Sequence, residues 1–135
     1  FSKGGHLYVY FTYGMHFCAN VVTGRAGKGE AVLLRAVEPI EGIDLMSKYR
    51  KHHSHRTERG DALQPNLTNG PAKLCEALMI GRRENGIDLL CDEIYLINSP
   101  RLRPPAIATS TRIGIRVGKE TKWRFFIKGN AWVSR

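Results

Sequence analysis

The pattern of apolar positions at the start of the chain predicts paired strands. Residues 6–13 and 16–23 are rich in β-branched and aromatic side chains, and a Gly-Met pair separates them. Such runs around a short connection are typical of a β-hairpin. A third strand is predicted over residues 31–37, where a nearly continuous apolar run indicates burial on both faces and includes one charge, Arg35.

Two helices are predicted in the chain after these three strands. Apolar residues from Ile43 to Tyr49 recur at helical intervals and lead into cations, which suit the negative end of a helix dipole. Pro71 occupies the first turn of a second predicted helix that runs into residues 78–80, with Gly81 as its stop. Three more strands are predicted at residues 93–98, 112–117 and 123–128.

Helices inserted among antiparallel strands predict an α+β fold. We expect a curved, mostly antiparallel β-sheet with a protruding β-hairpin and flanking helices. A chain of 135 residues suits one hydrophobic core, so residues 1–135 are predicted to form a single domain. Because the chain opens on Phe1 and enters a strand within a few residues, we expect it to be the later part of a longer domain.

The charge balance predicts a polyanionic partner. The chain has 21 Lys and Arg against 12 Asp and Glu, a net charge of +9. This excess favours nucleic acid or, less often, an anionic membrane surface, and a merely solvated basic face is the alternative. No apolar run reaches the length of a membrane span and no leader opens the chain. We therefore expect a soluble, monomeric, intracellular protein, in cytoplasm and nucleoid or in the nucleus according to the organism.

Little in the sequence indicates chemistry by itself. Three cysteines at irregular spacing fit buried thiols better than disulfides or a zinc module. His52, His53 and His55 have no Cys or carboxylate partner at fitting spacing, so a solvated loop is favoured over a metal site. No acid lies in an apolar setting that would raise its pKa, and no catalytic triad or phosphate-binding loop is present. No metal or organic cofactor is expected.

Aromatic and long side chains concentrate at the predicted hairpin and its tip. They are Tyr8, Tyr10, Tyr13, Met15 and His16. Flat side chains near cations are suited to stacking on bases while phosphates are neutralised. Side chains alternate along a strand, so these aromatics cannot all be core. The alternative is that one face is core and the tip is a solvated turn.

Five ordered blocks closely resemble the alkyladenine (methylpurine) DNA glycosylase family. The blocks are Tyr8–Asn20, Val32–Gly42, Asn69–Leu74, Thr111–Ile115 and Gly129–Ser134. They span nearly the whole chain. The resemblance implies an enzyme of base excision repair that flips alkylated or deaminated purines out of double-stranded DNA and hydrolyses the N-glycosidic bond.

The resemblance also implies a role for individual residues. Tyr13 is similar to the wedge that fills the gap left by a flipped base, with Met15 and His16 beside it, although the family often carries Tyr at the position of His16. Tyr10 resembles the ring that stacks on the purine, and Asn20 the residue that crowds the purine 2-position. The remaining positions implied are Arg35 and the backbone of Ile113 for the attacking water, and Lys73, Arg82, Arg112 and Gly114 for DNA contacts.

If Tyr10 and Asn20 contact the same base, the hairpin must have a particular register. A plain two-residue turn at Gly14 and Met15 would pair Tyr10 with Ala19 and leave Asn20 on the opposite face of the sheet. Tyr10 and Asn20 could then not contact one base. We therefore predict an extra residue or a bulge in the connection that pairs Tyr10 with Asn20.

The family's general base has no counterpart here. The resemblance implies a Glu on a segment N-terminal to the hairpin, which these residues do not include. We expect a monofunctional glycosylase as the parent protein and inactivity of the 135-residue piece by itself, because general-base assistance is worth about two to four orders of magnitude. A non-catalytic basic module that stacks nucleic acid on an aromatic hairpin is the alternative, and an RNA-binding protein is a third reading from charge.

Overall fold

A computed structural model describes residues 1–53, 65–91, 93–100 and 106–134. Strands β1 (Leu7–Thr12), β2 (His16–Val22) and β3 (Ala31–Leu33) form an antiparallel sheet in the order β1-β2-β3. Alternation places Leu7, Val9 and Ala19 on one buried face. This face forms the main core together with Leu74, Cys75 and Leu89.

The connection between β1 and β2 has three residues, 13–15. Thr12 pairs with His16, so Tyr10 pairs with Cys18 and Tyr8 pairs with Asn20. The predicted extra residue is confirmed. The predicted pairing of Tyr10 with Asn20 is wrong, because a connection of residues 14–16 would be needed for it. Tyr10 and Asn20 nevertheless share a face, since an odd number of connecting residues preserves the required alternation.

Both predicted helices are present. Helix α1 spans Ile43–His53 and helix α2 spans Pro71–Ala77, with Pro71 in its first turn. Helix α2 ends earlier than predicted, because Leu78 caps it and Met79 has a left-handed φ of 54°. Two short 3-10 turns flank it, at Pro65–Leu67 and Arg82–Glu84.

Two of the later predicted strands are absent from the described residues, and a different one is found. Strands β4 (Ile107–Ser110) and β5 (Arg124–Ile127) form a second antiparallel sheet, so the fold is α+β with two small sheets. The prediction for 123–128 is confirmed. The strand predicted over 112–117 is wrong because Gly114 turns the chain at a φ of 77°. Residues 93–98 form no strand, because the chain bends at residues 93–94 and the segment pairs with no strand within the described ranges.

Strand β3 is shorter and more exposed than predicted. It is an edge strand of three residues, and Val32 is 56% exposed. The prediction of burial on both faces is therefore wrong. Beyond it, the Leu34 amide still donates to the Ala19 carbonyl at 3.0 Å, so the chain stays beside β2 up to the residue before Arg35.

The cysteines are free thiols, of which Cys18 and Cys75 are buried and Cys91 is exposed. The histidine cluster considered above as a metal site lies outside the residues whose side chains the structure describes. Across the described ranges, no helix has both the length and the apolar character needed to cross a membrane.

Candidate nucleic-acid interface and catalytic site

The hairpin tip projects its side chains into solvent. Tyr13 is 81% exposed and Met15 is 67% exposed. Tyr13 has a φ of 51°, and Gly14 a φ of 68°, which gives positive φ at both central residues of the turn that the Met15 amide closes on the Thr12 carbonyl at 3.2 Å. Positive φ is unfavourable for a tyrosine, so the fold holds this side chain in a strained, outward position.

The base of the tip lies close to helix α2. Nδ1 of His16 lies 3.5 Å from Oε1 of Glu76 on α2. Oε2 of Glu76 also forms an ion pair with Arg50 on α1. His16 therefore lies beside a carboxylate that joins the two helices, and its Nδ1 makes no hydrogen bond to a described residue, whereas Tyr13 and Met15 remain exposed.

Tyr10 and Asn20 lie on the hairpin face opposite the core, with Tyr8 and Cys18. The rings of Tyr8 and Tyr10 have centroids 5.7 Å apart. Asn20 is only 7% exposed and its Nδ2 donates to the Tyr8 carbonyl at 3.1 Å. Burial, followed by the neighbouring Cys18, raises the pKa of Tyr10 above its ordinary value. This face thus presents a neutral, partly buried aromatic ring beside a fixed amide.

Arg35 lies at a cavity between the segment after β3 and strand β5. The cavity has a volume of about 450 Å³, and Arg35, Glu38, Arg124 and Ser134 contribute to its lining. Nε of Arg35 donates to Oγ of Ser134 at 3.2 Å. Burial and then the nearby Arg124 lower the pKa of Arg35, while Tyr10 and Cys18 act in the opposite direction. The guanidinium is therefore within electrostatic reach of the Tyr10 face.

Arg112 closes the loop that carries Ile113 and Gly114. Its Nη2 donates to the carbonyls of Val117 and Gly118, at 3.4 Å and 3.2 Å. Its guanidinium also lies 5.4 Å from the centre of the Trp123 ring. The contacts hold Arg112 against its own loop, so a phosphate contact from this side chain stays a prediction.

The other predicted DNA contacts are spread over the helical side of the molecule. Lys73 on α2 donates to Oδ1 of Asn66 and, at 3.0 Å, to Oδ1 of Asn69. Arg82 is exposed in the second 3-10 turn. The DNA roles of both cations remain predictions.

One carboxylate lies in the Arg35 cavity. Oε2 of Glu38 accepts a hydrogen bond of 2.7 Å from Nδ2 of Asn130. Within the described ranges, no group of three or more metal-ligating side chains is found. The acid that could act on a water at this site is therefore Glu38 among the residues that line the cavity.

Comparison with known proteins identifies the family of this chain. A sequence model of the methylpurine-DNA glycosylase family matches residues 1–131. The chain belongs to this family. Two relatives named "Putative 3-methyladenine DNA glycosylase" are each 45% identical to it. The one from Carboxydothermus hydrogenoformans aligns over 136 residues, 100% of this chain and 66% of the relative. The one from Clostridium acetobutylicum aligns over 137 residues, 99% of this chain and 66% of the relative.

A third relative of the same name, from Clostridium novyi, is 44% identical over 138 residues and is covered to 67% of its length. The chain thus spans about two thirds of the length of these curated relatives.

As a methylpurine-DNA glycosylase family member, the chain brings together only some of the predicted site residues. Tyr10, Asn20 and Arg35 lie near one another, with Tyr13 at the tip of the same hairpin. Ile113 and Gly114 lie on a separate loop. Sequence reasoning missed two residues that line the cavity and surround Arg35, Arg124 and Ser134. The one available signal was that Ser134 closes a block shared with the family.

Proposed function

We propose that this chain is the lesion-reading part of a monofunctional DNA glycosylase of base excision repair. Its substrate is double-stranded DNA that contains alkylated or deaminated purines, and the protein acts inside the cell as a monomer. The observation that carries this proposal is the three-residue connection of the hairpin. It exposes Tyr13 at the tip while keeping Tyr10 and Asn20 on one face.

Recognition begins at the hairpin tip. A purine inside a duplex has its glycosidic bond out of reach, so the nucleotide must leave the stack. Tyr13 enters the minor groove and fills the gap, since it is the most exposed aromatic ring of the hairpin. The flipped base stacks on Tyr10. A ring face is negative, which favours a cationic alkylated purine.

Asn20 sets the purine range. Its side chain is buried in the central strand and bonded to the Tyr8 carbonyl, so it cannot swing away from an incoming base. A fixed amide opposite the purine 2-position crowds the exocyclic amine of guanine. Undamaged guanine is therefore disfavoured, whereas purines without that amine are accepted.

Hydrolysis requires an oriented water. Arg35 and the backbone of Ile113 position it at the anomeric carbon, and water attack gives a free base and an abasic site without a covalent enzyme intermediate. The resemblance to the family implies a general base on a Glu upstream of the hairpin. Without that residue we expect the 135-residue chain to bind lesions but to be inactive, because general-base assistance is lost.

The basic surface supplies general affinity. The net charge of +9 favours association with phosphates in a salt-dependent way. Lys73, Arg82 and Arg112, together with the backbone at Gly114, are the contacts that we propose for the DNA strands. These contacts orient the duplex and carry no lesion preference of their own.

Binding and excision test the proposal in one series. The intact mass of the purified protein is measured first, against 15.2 kDa for this chain. Affinity is then compared for duplexes that carry hypoxanthine, methylated adenine, an abasic analogue or no lesion, and for a single strand. We expect preference for the damaged duplexes, and loss of that preference of about tenfold or more in Tyr10→Ala. Lys119→Ala, a change of an exposed cation away from the hairpin, is the matched control.

Each outcome separates the alternatives. Preference for single strands without lesion dependence would support a generic nucleic-acid-binding module and overturn the glycosylase assignment. Excision by material of 15.2 kDa would refute inactivity of the chain, and its loss in Glu38→Gln would make Glu38 the base. Excision only by material of higher mass would support a base on an upstream segment.

A further inference from the structure

Ser134 and Arg124 lie beside Arg35 at the cavity. Neither residue is among those proposed above to contact the DNA or the attacking water. Ser134 is only 4% exposed although it is polar, and its hydroxyl accepts the hydrogen bond from Nε of Arg35. The backbone carbonyl of the same residue accepts a hydrogen bond from Nη2 of Arg124. One buried serine therefore joins two arginines that would otherwise repel each other, since Arg124 lowers the pKa of Arg35.

Arg124 is itself fixed by two further contacts. Nη1 donates to Oγ of Ser110 at 3.0 Å, which crosses from β5 to β4. Its guanidinium lies 4.5 Å from the centre of the Phe126 ring. The planar guanidinium group of Arg124 makes several directed contacts and therefore loses most of its rotational freedom. Arg124 therefore provides a rigid support for the Ser134 carbonyl.

The segment before Ser134 is anchored from the other side. Oδ1 of Asn130 accepts a hydrogen bond of 2.8 Å from the Trp132 amide, and Nδ2 of Asn130 donates to Glu38 at 2.7 Å. Glu38 follows Arg35 by three residues in the chain. Both ends of the segment that presents Ser134 are thus tied to the elements that frame the Arg35 cavity.

We infer that Arg124 and Ser134 are positioning residues for Arg35. Ser134 engages Nε, which directs the guanidinium and leaves its two terminal nitrogens for the water and the substrate. Arg124 acts through Ser134 and has no contact with the reacting atoms in this assignment. The inference rests on the proposed function, in which Arg35 orients the attacking water.

A double-mutant cycle tests it by single-turnover excision, in whichever length of chain the assay above shows to be active. Arg35→Met is expected to lower the rate by about 100-fold, as for loss of one preorganised donor. Ser134→Ala is expected to lower it by about tenfold with lesion affinity unchanged. Combining the two should add nothing to the loss from Arg35→Met, because Ser134 acts only through Arg35.

Variants of Arg124 extend the cycle. Arg124→Met should match Ser134→Ala, and Arg124→Lys should recover part of the rate because it keeps the charge and one donor. Arg116→Gln removes an equal charge from an exposed position and should leave the rate unchanged. If Arg124→Met fails to fold, Ser134→Ala carries the test, since it removes one hydroxyl and keeps the carbonyl.

A second readout does not depend on activity. In the 135-residue chain, the Nε proton of Arg35 should exchange with water at least tenfold faster in Ser134→Ala than in the unsubstituted protein, by NMR. Equal exchange, or a rate loss in Ser134→Ala that persists in the Arg35→Met background, would overturn the inference. Absence of both lesion preference and excision in the unsubstituted protein would instead refute the proposed function, while the exchange result still decides whether Ser134 holds Arg35.

Discussion

The strained backbone conformation of Tyr13 should lower the free energy of unfolding of the protein. Its φ of 51° lies in the left-handed region, where a residue with a side chain costs about 1–2 kcal/mol. The side chain is 81% exposed, so it recovers little of this by burial. Tyr13→Gly should relieve the strain, whereas Tyr13→Ala should keep it.

The expected magnitude is a difference between these two variants. Glycine also makes the unfolded chain more flexible, which offsets roughly 0.5–1 kcal/mol of the gain. Tyr13→Gly should thus be more stable than Tyr13→Ala by about 0.5–1 kcal/mol. Urea unfolding followed by far-ultraviolet circular dichroism measures this as a midpoint shift of roughly 0.5 M.

The two variants should differ in stability but lose DNA affinity to the same extent. Both variants lose the ring that fills the duplex, so both should bind a lesion duplex about tenfold or more weakly. Met15 is the matched control, because it is exposed and is absent from the residues with positive φ. There, Met15→Gly should be less stable than Met15→Ala. A Tyr13→Gly variant no more stable than Tyr13→Ala would refute the reasoning that the tip is strained.

Three further predictions concern buried groups. Thr68→Val should lower the free energy of unfolding by about 1 kcal/mol in urea, because Oγ1 of Thr68 donates to the Val37 carbonyl at 2.6 Å; Thr109→Val, at an exposed position, should be neutral. Iodoacetamide at pH 8 should modify Cys91 and spare Cys75 by mass spectrometry, because burial raises the pKa of Cys75 to about 12 and leaves roughly 1 in 10⁴ of its thiol ionised. Stability should fall as pH rises from about 9 toward 12, since the unfolded Cys75 ionises first, and Cys75→Ser should weaken that dependence in urea midpoints. Modification of native Cys75 at pH 8, or an unchanged midpoint in Thr68→Val, would contradict these expectations.

Local chemistry predicted the parts of the fold that are stabilised locally. The hairpin follows from alternation and a Gly at the tip, and α2 follows from Pro71 at its first turn. The strand expected over 112–117 was wrong because Gly114 and Gly118 both adopt positive φ there. Strand β4 was missed because its four residues pair only with β5, and such a pairing is set by tertiary contact rather than by propensity.

In the candidate site, too, local patterns could be predicted from the sequence and contacts between distant residues could not. Tyr10, Tyr13 and Asn20 could be placed in one hairpin from sequence, although the pairing predicted for Tyr10 and Asn20 was wrong because the connection is formed by residues 13–15. Arg35 and Ser134 are 99 positions apart, and no local pattern links them. Their contact depends on where β5 returns against the segment after β3, which a single sequence does not specify.

The burial of Asn20 has a consequence for how this protein can evolve. In the proposed function Asn20 filters purines, yet its amide also bonds the backbone of the neighbouring strand in the middle of the sheet. A change that widened the lesion range here would leave the partly buried Tyr8 carbonyl with one partner fewer and weaken folding. Selection on substrate range and selection on stability therefore act on the same atom. Drift in specificity should accumulate at exposed positions such as Met15 before it reaches Asn20.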